Sequence, residues 1–238
     1  MRTAYTVFRN LYNVRKMTMK LVLASGSQRR RELLTMCGYD YEIIVSNADE
    51  TIDENDPESF VRALSFRKAK DVFDRLFAAG RRDFAVIGSD TVVAFQKEGE
   101  TKPVIIGKPK DAEDAVRILS MLSGKTHRVF TGVSVIADIP DENAAAQCSI
   151  REKAEIQTEC SITEVTFETL SPDEITDYVN SGDPLDKAGS YGIQGQFGMF
   201  VREIRGNYFT VIGMPIPVLY KMLKKIGILP HGFYERIE

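Results

Sequence analysis

KLVLASGSQRRRELL, residues 20–34, reads as a short apolar strand, a turn of small residues and a helix that opens on three arginines. Leu21, Val22 and Leu23 form a run too short for a helix, and Ser25, Gly26 and Ser27 let the backbone approach a ligand closely. A helix is predicted from near Ser27, a residue type suited to the N-cap. Its first N–H groups have no partner within the helix, and the aligned peptide dipoles favour an anion there. Arg29, Arg30 and Arg31 oppose that dipole, a local cost that a polyanion in front of them offsets. The arginines alone are equally a solvated charge run; with the strand and the turn they read as a site for phosphate.

The chain beyond this unit alternates strands and helices, so an α/β fold is expected. Tyr39–Ser46 reads as a strand, and the acidic loop after it offers Glu50 among several carboxylates that suit a divalent cation or simply solvent. Asp56 caps and Pro57 starts a long helix carrying Phe60, Val61, Leu64, Val72 and Phe73, with Gly80 beyond its end. Lys68 falls on the edge of that stripe, where it either snorkels or points an ammonium into a cleft. Two apolar strand runs, FAVIG and VVAF, flank Ser89, Asp90 and Thr91. Asp is depleted in strand interiors and costly to bury, so Asp90 reads as a metal ligand or general base.

A hairpin over residues 97–103 returns through Val104–Ile106 to Gly107-Lys108-Pro109, which fixes where Lys108 points. A helix runs from about Asp111 to Ser123, and His127 reads as a hydrogen-bonded structural histidine. Arg128–Ala137 and Ala154–Glu168 alternate as an antiparallel pair whose tip is DIPDENAAAQ, and SPDE at Ser171 to Glu174 is a capping box. The irregular stretch DPLDKAGSYGIQGQFG offers Asp186, Lys187, Tyr191 and Gln194 as its chemical groups. Met199–Ile204 and Tyr208–Ile212 are predicted as a hairpin, with a final helix after Pro215.

With 238 residues, 43% hydrophobic and 27% charged, the chain has the composition of a soluble globular protein with a sizeable core. A net charge of −3 argues against a broad nucleic-acid surface, and no apolar run approaches the ~20 residues of a membrane span. Cys37, Cys148 and Cys160 lack CxxC spacing, which argues for a reducing compartment and against structural zinc. Residues 1–19 form an N-terminal extension with Arg2, Arg9, Arg15 and Lys16 and no acidic residue. That composition suits a transit peptide, a plain extension, or initiation at Met17 or Met19. A cytoplasmic location is expected, with an organelle as the alternative if residues 1–19 are a transit peptide. Residues 20–238 read as one domain of two lobes.

SGSQRRREL at 25–33, the acidic pair Asp49-Glu50, FRKAK at 66–70, GSDTVV at 88–93, GKP at 107–109, LSGKTHRVFTGV at 122–133, LDKAGSYGIQG at 185–195 and GNYFTVIGMP at 206–215 occur in one order. This set resembles the Maf family of nucleoside triphosphate pyrophosphatases over residues 20 to about 224. The resemblance implies an elongated, twisted mixed sheet with flanking helices and two lobes around a cleft, of the inosine-triphosphate-pyrophosphatase (Maf/Ham1) type. It also implies cleavage of a nucleoside triphosphate between its α and β phosphates with a divalent metal, Mg²⁺ or Mn²⁺.

Carried over by motif, Asp90 matches the proton acceptor, and Arg29, Thr91 and Gln194 match positions tied to base choice. The branch that prefers 7-methyl-GTP has Trp, Gln and Glu there, so this chain resembles the dTTP and UTP branch. Gln28 departs from the proline usual before the arginine pair. Arg30, Lys68 and Lys108 are then expected to neutralise the triphosphate, Glu50 and Asp90 to hold the metal, and Ser25, Ser27 and Lys187 to contact substrate. A homodimer is allowed. The rival readings are a non-hydrolytic nucleotide-binding regulator of division and a nucleic-acid binder using Arg29–Arg31 with Arg81 and Arg82, which the net acidity disfavours.

Overall fold

The computed structural model describes residues 19–139 and 154–231. Residues 1–18 of the N-terminal extension, Cys148 and most of the loop at the tip of the long antiparallel pair lie outside them. β1 (Lys20–Leu23) leads through the small-residue turn into α1 (Gln28–Met36), followed by β2 (Glu42–Ile43) and the long helix α2 (Pro57–Ala78). Then come β3 (Phe84–Phe95), β4 (Val104–Ile106), α3 (Ala112–Leu122), β5 (Thr126–Asp138), β6 (Ala154–Phe167) and α4 (Pro172–Asn180). Short 3₁₀ turns over 183–200 precede β7 (Val201–Arg205), α5 (Tyr208–Ile212) and α6 (Ile216–Lys225).

The strands form one mixed sheet in the order β2-β1-β3-β5-β6-β7, with β4 beside β3. β1 runs parallel to β2 and β3, and the remaining pairs are antiparallel. Side chains alternate across the sheet, so each face has its own core. Val22, Phe84 and Val86 meet Ala69, Val72 and Phe73 of α2. Leu21, Leu23, Ala85 and Ile87 meet Leu33 and Leu34 of α1 and Leu219 and Leu223 of α6 on the other face. The far half of β3 joins α3 and α4 through Val93, Phe95, Leu119 and Ile175.

α2 lies unusually close to the sheet because two strand glycines lie beneath it. A Cβ at Gly88 would stand 2.1 Å from the Ser65 carbonyl oxygen, and one at Gly132 would stand 2.2 Å from that of Val61. Strand glycines of this kind mark close backbone approach.

The pairing pattern of β3 creates the site. On one side β5 accompanies it along nearly its whole length. On the other side β1 pairs only with Phe84–Ile87, and β4 only with Val93–Phe95. Residues 88–92 therefore border a gap between the end of β1 and the end of β4, and side chains from both faces of the sheet reach into it.

Three expected elements differ. FAVIG and VVAF are one uninterrupted strand, with Asp90 paired in register with Gly132. The strand expected over Tyr39–Ser46 pairs only at Glu42 and Ile43, because α2 captures the residues beyond: Arg75 donates to the Val45 carbonyl, and Asp71 accepts from Ser46 and the Asn47 N–H. Tyr208–Ile212 is a helix and not a strand, and β7 pairs with β6 instead. The Asn207 side chain caps the Phe209 N–H and Gly213 closes the turn at φ 109°, so capping overrides the β-branched and aromatic composition.

Candidate active site

The gap opens into a cleft of about 970 Å³ lined by the Ser25–Arg30 turn, Glu50, Lys68, Asp90, Thr91, Gly107-Lys108 and the 183–195 loop. A site of this size holds a nucleotide-sized ligand.

Asp90 projects toward α2, and its Oδ1 accepts from Lys68 Nζ at 2.7 Å. Glu50 Oε1 lies 2.9 Å from the same nitrogen. The Lys68 and Asp90 side chains are each 12% exposed, whereas that of Glu50 is 65% exposed. Lys68 thus turns its ammonium into the cleft and does not snorkel to open solvent. Two carboxylates converge on one cation, across the gap from the arginines.

Thr91, one residue on, points to the opposite face. Its hydroxyl lies 3.2 Å from Arg30 Nη2 and 3.0 Å from Thr131 Oγ1. Arg30 also donates from Nε to the Gly213 carbonyl at 2.8 Å and from Nη1 to Ser25 Oγ at 3.1 Å. Burial lowers its pKa from the ordinary arginine value, and the Asp90 carboxylate works against that shift. Arginine stays protonated regardless. Three hydrogen bonds from protein groups fix the orientation of this guanidinium, which is the preorganisation an anion site requires. Through its contact with Nη2 the Thr91 hydroxyl helps hold Arg30 in place.

Ser25 is buried and also accepts from the Ser27 N–H. Ser27 is the N-cap of α1 without a side-chain cap bond, so the helix presents free N–H groups to the cleft. Arg29 turns aside to Asp186 Oδ2 at 3.2 Å. Lys108 and Gln194 are exposed at the rim and have no hydrogen bond or ion pair within the described residues. Lys187, grouped by sequence with the substrate contacts, is instead bound within its own loop by Asp183 and Asp186.

Sequence reasoning passed over Ser89, whose hydroxyl oxygen lies 2.9 Å from both the Gly132 and the Gly213 carbonyl oxygens, so that its one proton is shared between them and links β3 and β5 to the end of α5. It also passed over Gly88 and Gly132, although glycine inside an apolar strand is itself a signal of close approach.

His127 is structural. Its Nε2 lies 3.0 Å from the Tyr191 hydroxyl amid Phe167 and Phe197, and burial pushes its pKa down to about 3. An unfolded histidine titrates near 6.5, so between these values the unfolded chain holds the extra proton and stability falls as pH falls. Between pH 7.5 and 5.5 wild type should lose about 1.4 kcal/mol more than His127→Gln, read as the difference in urea unfolding free energy. Equal losses would show that His127 does not stay neutral in the fold.

Among the described residues, no helix is long and apolar enough to cross a membrane, and no three His, Cys, Asp or Glu side chains cluster as a metal cage. A sequence model of the family described as Maf-like protein matches residues 20–226. A protein of Agathobacter rectalis named dTTP/UTP pyrophosphatase is 40% identical over 217 residues, covering 88% of this chain and 98% of its own. One of the same name from Bacillus thuringiensis subsp. konkukian is 42% identical over 210 residues, covering 88% and 96%. Among solved structures, the Staphylococcus aureus Ham1 protein aligns over 87% of this chain and 98% of its own at a TM-score of 0.43 and 16% identity. The family match runs from the first residue of β1 to just past α6, and with identities of 40% and 42% it makes this chain a member of the Maf-like protein family.

Proposed function

We propose that this chain hydrolyses dTTP and UTP between the α and β phosphates, giving the monophosphate and pyrophosphate. The observation that carries the reading is the convergence of Asp90 and Glu50 on Lys68, opposite the pre-fixed Arg30 and the free N-terminus of α1. The names of relatives at 40% and 42% identity support the substrate class.

Arg30, the α1 N–H groups and Lys108 receive phosphate oxygens, and Lys68 offsets charge beside the scissile bond. Asp90 orients the attacking water and accepts its proton as the bridging P–O bond breaks. Two hard carboxylate donors fit Mg²⁺ or Mn²⁺, which are commonly held by one or two carboxylates together with substrate phosphates and water. Such an ion would be held by Asp90 and Glu50, and when bound it supplies neutralisation of charge on the phosphoryl oxygens.

Pyrophosphate release from a panel of triphosphates with Mg²⁺ or Mn²⁺ tests this directly. Release from dTTP and UTP above the purine triphosphates is the expected result, and binding without release would favour the regulator reading.

Base choice supplies a narrower prediction. Gln194, exposed at the rim with no hydrogen bond among the described residues, reads the pyrimidine edge beside Arg29. Gln194→Glu replaces a donor with an acceptor, so kcat/KM for UTP relative to 7-methyl-GTP should fall by roughly one to two decades, the worth of one lost polar pairing. An unchanged ratio would remove Gln194 from base reading.

A further inference from the structure

Lys187 has no proton to spare for a ligand. An ammonium carries three donors, and three acceptors surround Nζ: the Asp183 carbonyl, Asp183 Oδ1 at 2.9 Å and Asp186 Oδ1 at 2.7 Å. The side chain is 12% exposed, and its stem lies over Gly192, where a Cβ would stand 2.6 Å from Lys187 Cε. Asp183 is held from its other oxygen as well, since Oδ2 accepts from the Tyr178 hydroxyl at 2.6 Å. That hydroxyl in turn accepts from the Gly192 N–H at 3.0 Å, so buried Tyr178 of α4 ties both ends of the loop.

The charge chain does not stop at the loop. Asp186 accepts from Lys187 at Oδ1 and from Arg29 of α1 at Oδ2, which links two walls of the cleft through one carboxylate. Burial alone would raise the pKa values of Asp183 and Asp186. The hydrogen bonds from Tyr178 and Lys187 outweigh it for Asp183, and those from Lys187 with the charge of Arg29 do so for Asp186, leaving both below the ordinary carboxylate range. Asp186 is 67% exposed, and exposed pairs contribute little to stability. A bare carboxylate at the mouth of a polyanion site would repel the ligand, and here two cations neutralise it.

We propose that Asp183, Lys187 and Asp186 form a clasp that positions the specificity residues and does not itself bind substrate. Asp183 and Lys187 hold the shape of the loop that carries Gln194, and Asp186 holds Arg29 at a fixed separation from it. The base then meets a preset pair of groups, so the clasp sets discrimination between bases and leaves phosphate binding to Arg30 and Lys108. The inference rests on the reading of Arg29 and Gln194 as base-facing.

The test is calorimetric binding of non-hydrolysable α,β-methylene UTP and α,β-methylene GTP to the full chain, with thermal unfolding in parallel. Wild type should prefer the UTP analogue. Asp186→Ala should lower that preference about tenfold, the loss of one polar pairing, while the unfolding midpoint stays within about 2 °C. Lys187→Met should lower it as well, together with the unfolding midpoint, because the loop loses its central staple. If Lys187→Met weakens both analogues equally and leaves their ratio unchanged, Lys187 is a direct phosphate ligand and the clasp is wrong. A discriminating wild type beside an Asp186→Ala variant with the same ratio also overturns the clasp, and leaves the proposed function standing. Wild type that binds neither analogue, or both alike, overturns the reading of Arg29 and Gln194 and the clasp together.

Discussion

Asp90→Asn is expected to lower kcat about a thousandfold while the protein stays folded. The size follows from the role: a positioned general base contributes about 10² to 10⁴ in rate, and a thousandfold loss corresponds to about 4 kcal/mol of barrier. Asparagine has the shape of aspartate but neither its charge nor its basicity. The fold should tolerate the change, because Lys68 keeps its contact with Glu50 at 2.9 Å and an amide oxygen can still accept from it. The pair also borders an open cleft, so no charge is left stranded in a dry core. Single-turnover pyrophosphate release with unfolding measured alongside decides the matter. If the variant releases pyrophosphate near the wild-type rate, Asp90 is an ion-pair partner of Lys68 and another group activates the water. If turnover and folding are lost together, its role is structural.

The two halves of that site were unequally legible in the sequence. KLVL followed by SGSQRRR gave a strand, a turn and a helix, and these form as β1 and α1. Caps gave the starts of two helices, since Asp56 accepts from the Ser59 N–H and Ser171 from the Glu174 N–H. These signals are local, and local chemistry is what a sequence prints most plainly. Which arginine turns inward is a question of helix phase, and Arg30 wins it because the Gly213 carbonyl lies where Nε can reach. The gap between β1 and β4 had no local signature at all, because it arises from how far two different strands pair along β3. The saturation of Lys187 was equally hidden, since a lysine in a polar loop looks the same whether its protons are free or taken. Tyr208–Ile212 misled for the opposite reason: its side chains favour a strand, but Asn207 and Gly213 close it into a helical turn.

Gly132→Ala should destabilise the fold heavily through the addition of a single methyl group. Gly132 pairs with Asp90 in register, and a Cβ there would lie 2.2 Å from Val61 O, 2.5 Å from Val61 C and 3.0 Å from Arg62 N. All three are backbone atoms, so no side chain can swing aside and α2 itself must lift. Lifting it loosens Val61, Leu64, Ala69 and Val72 from the sheet, and it strains the Ser65 to Ser134 hydroxyl contact at 2.9 Å. Overpacking a fitted core costs about 1 to 3 kcal/mol, and rigid backbone on the far side puts this site at the upper end. The alanine's gain of a few tenths to 1 kcal/mol through the unfolded chain is too small to offset it. A loss of about 3 kcal/mol would lower the unfolding midpoint by roughly 6 to 12 °C in a domain of this size. Lys68 rides on the same helix, so kcat/KM should fall as well once its ammonium shifts from Asp90. Gly107→Ala is the control, because a Cβ there meets nothing within 4 Å and its stability should change by no more than about 0.5 kcal/mol. If the two variants unfold at the same temperature, α2 is not seated on glycine, and the close approach that brings Lys68 to Asp90 has another cause.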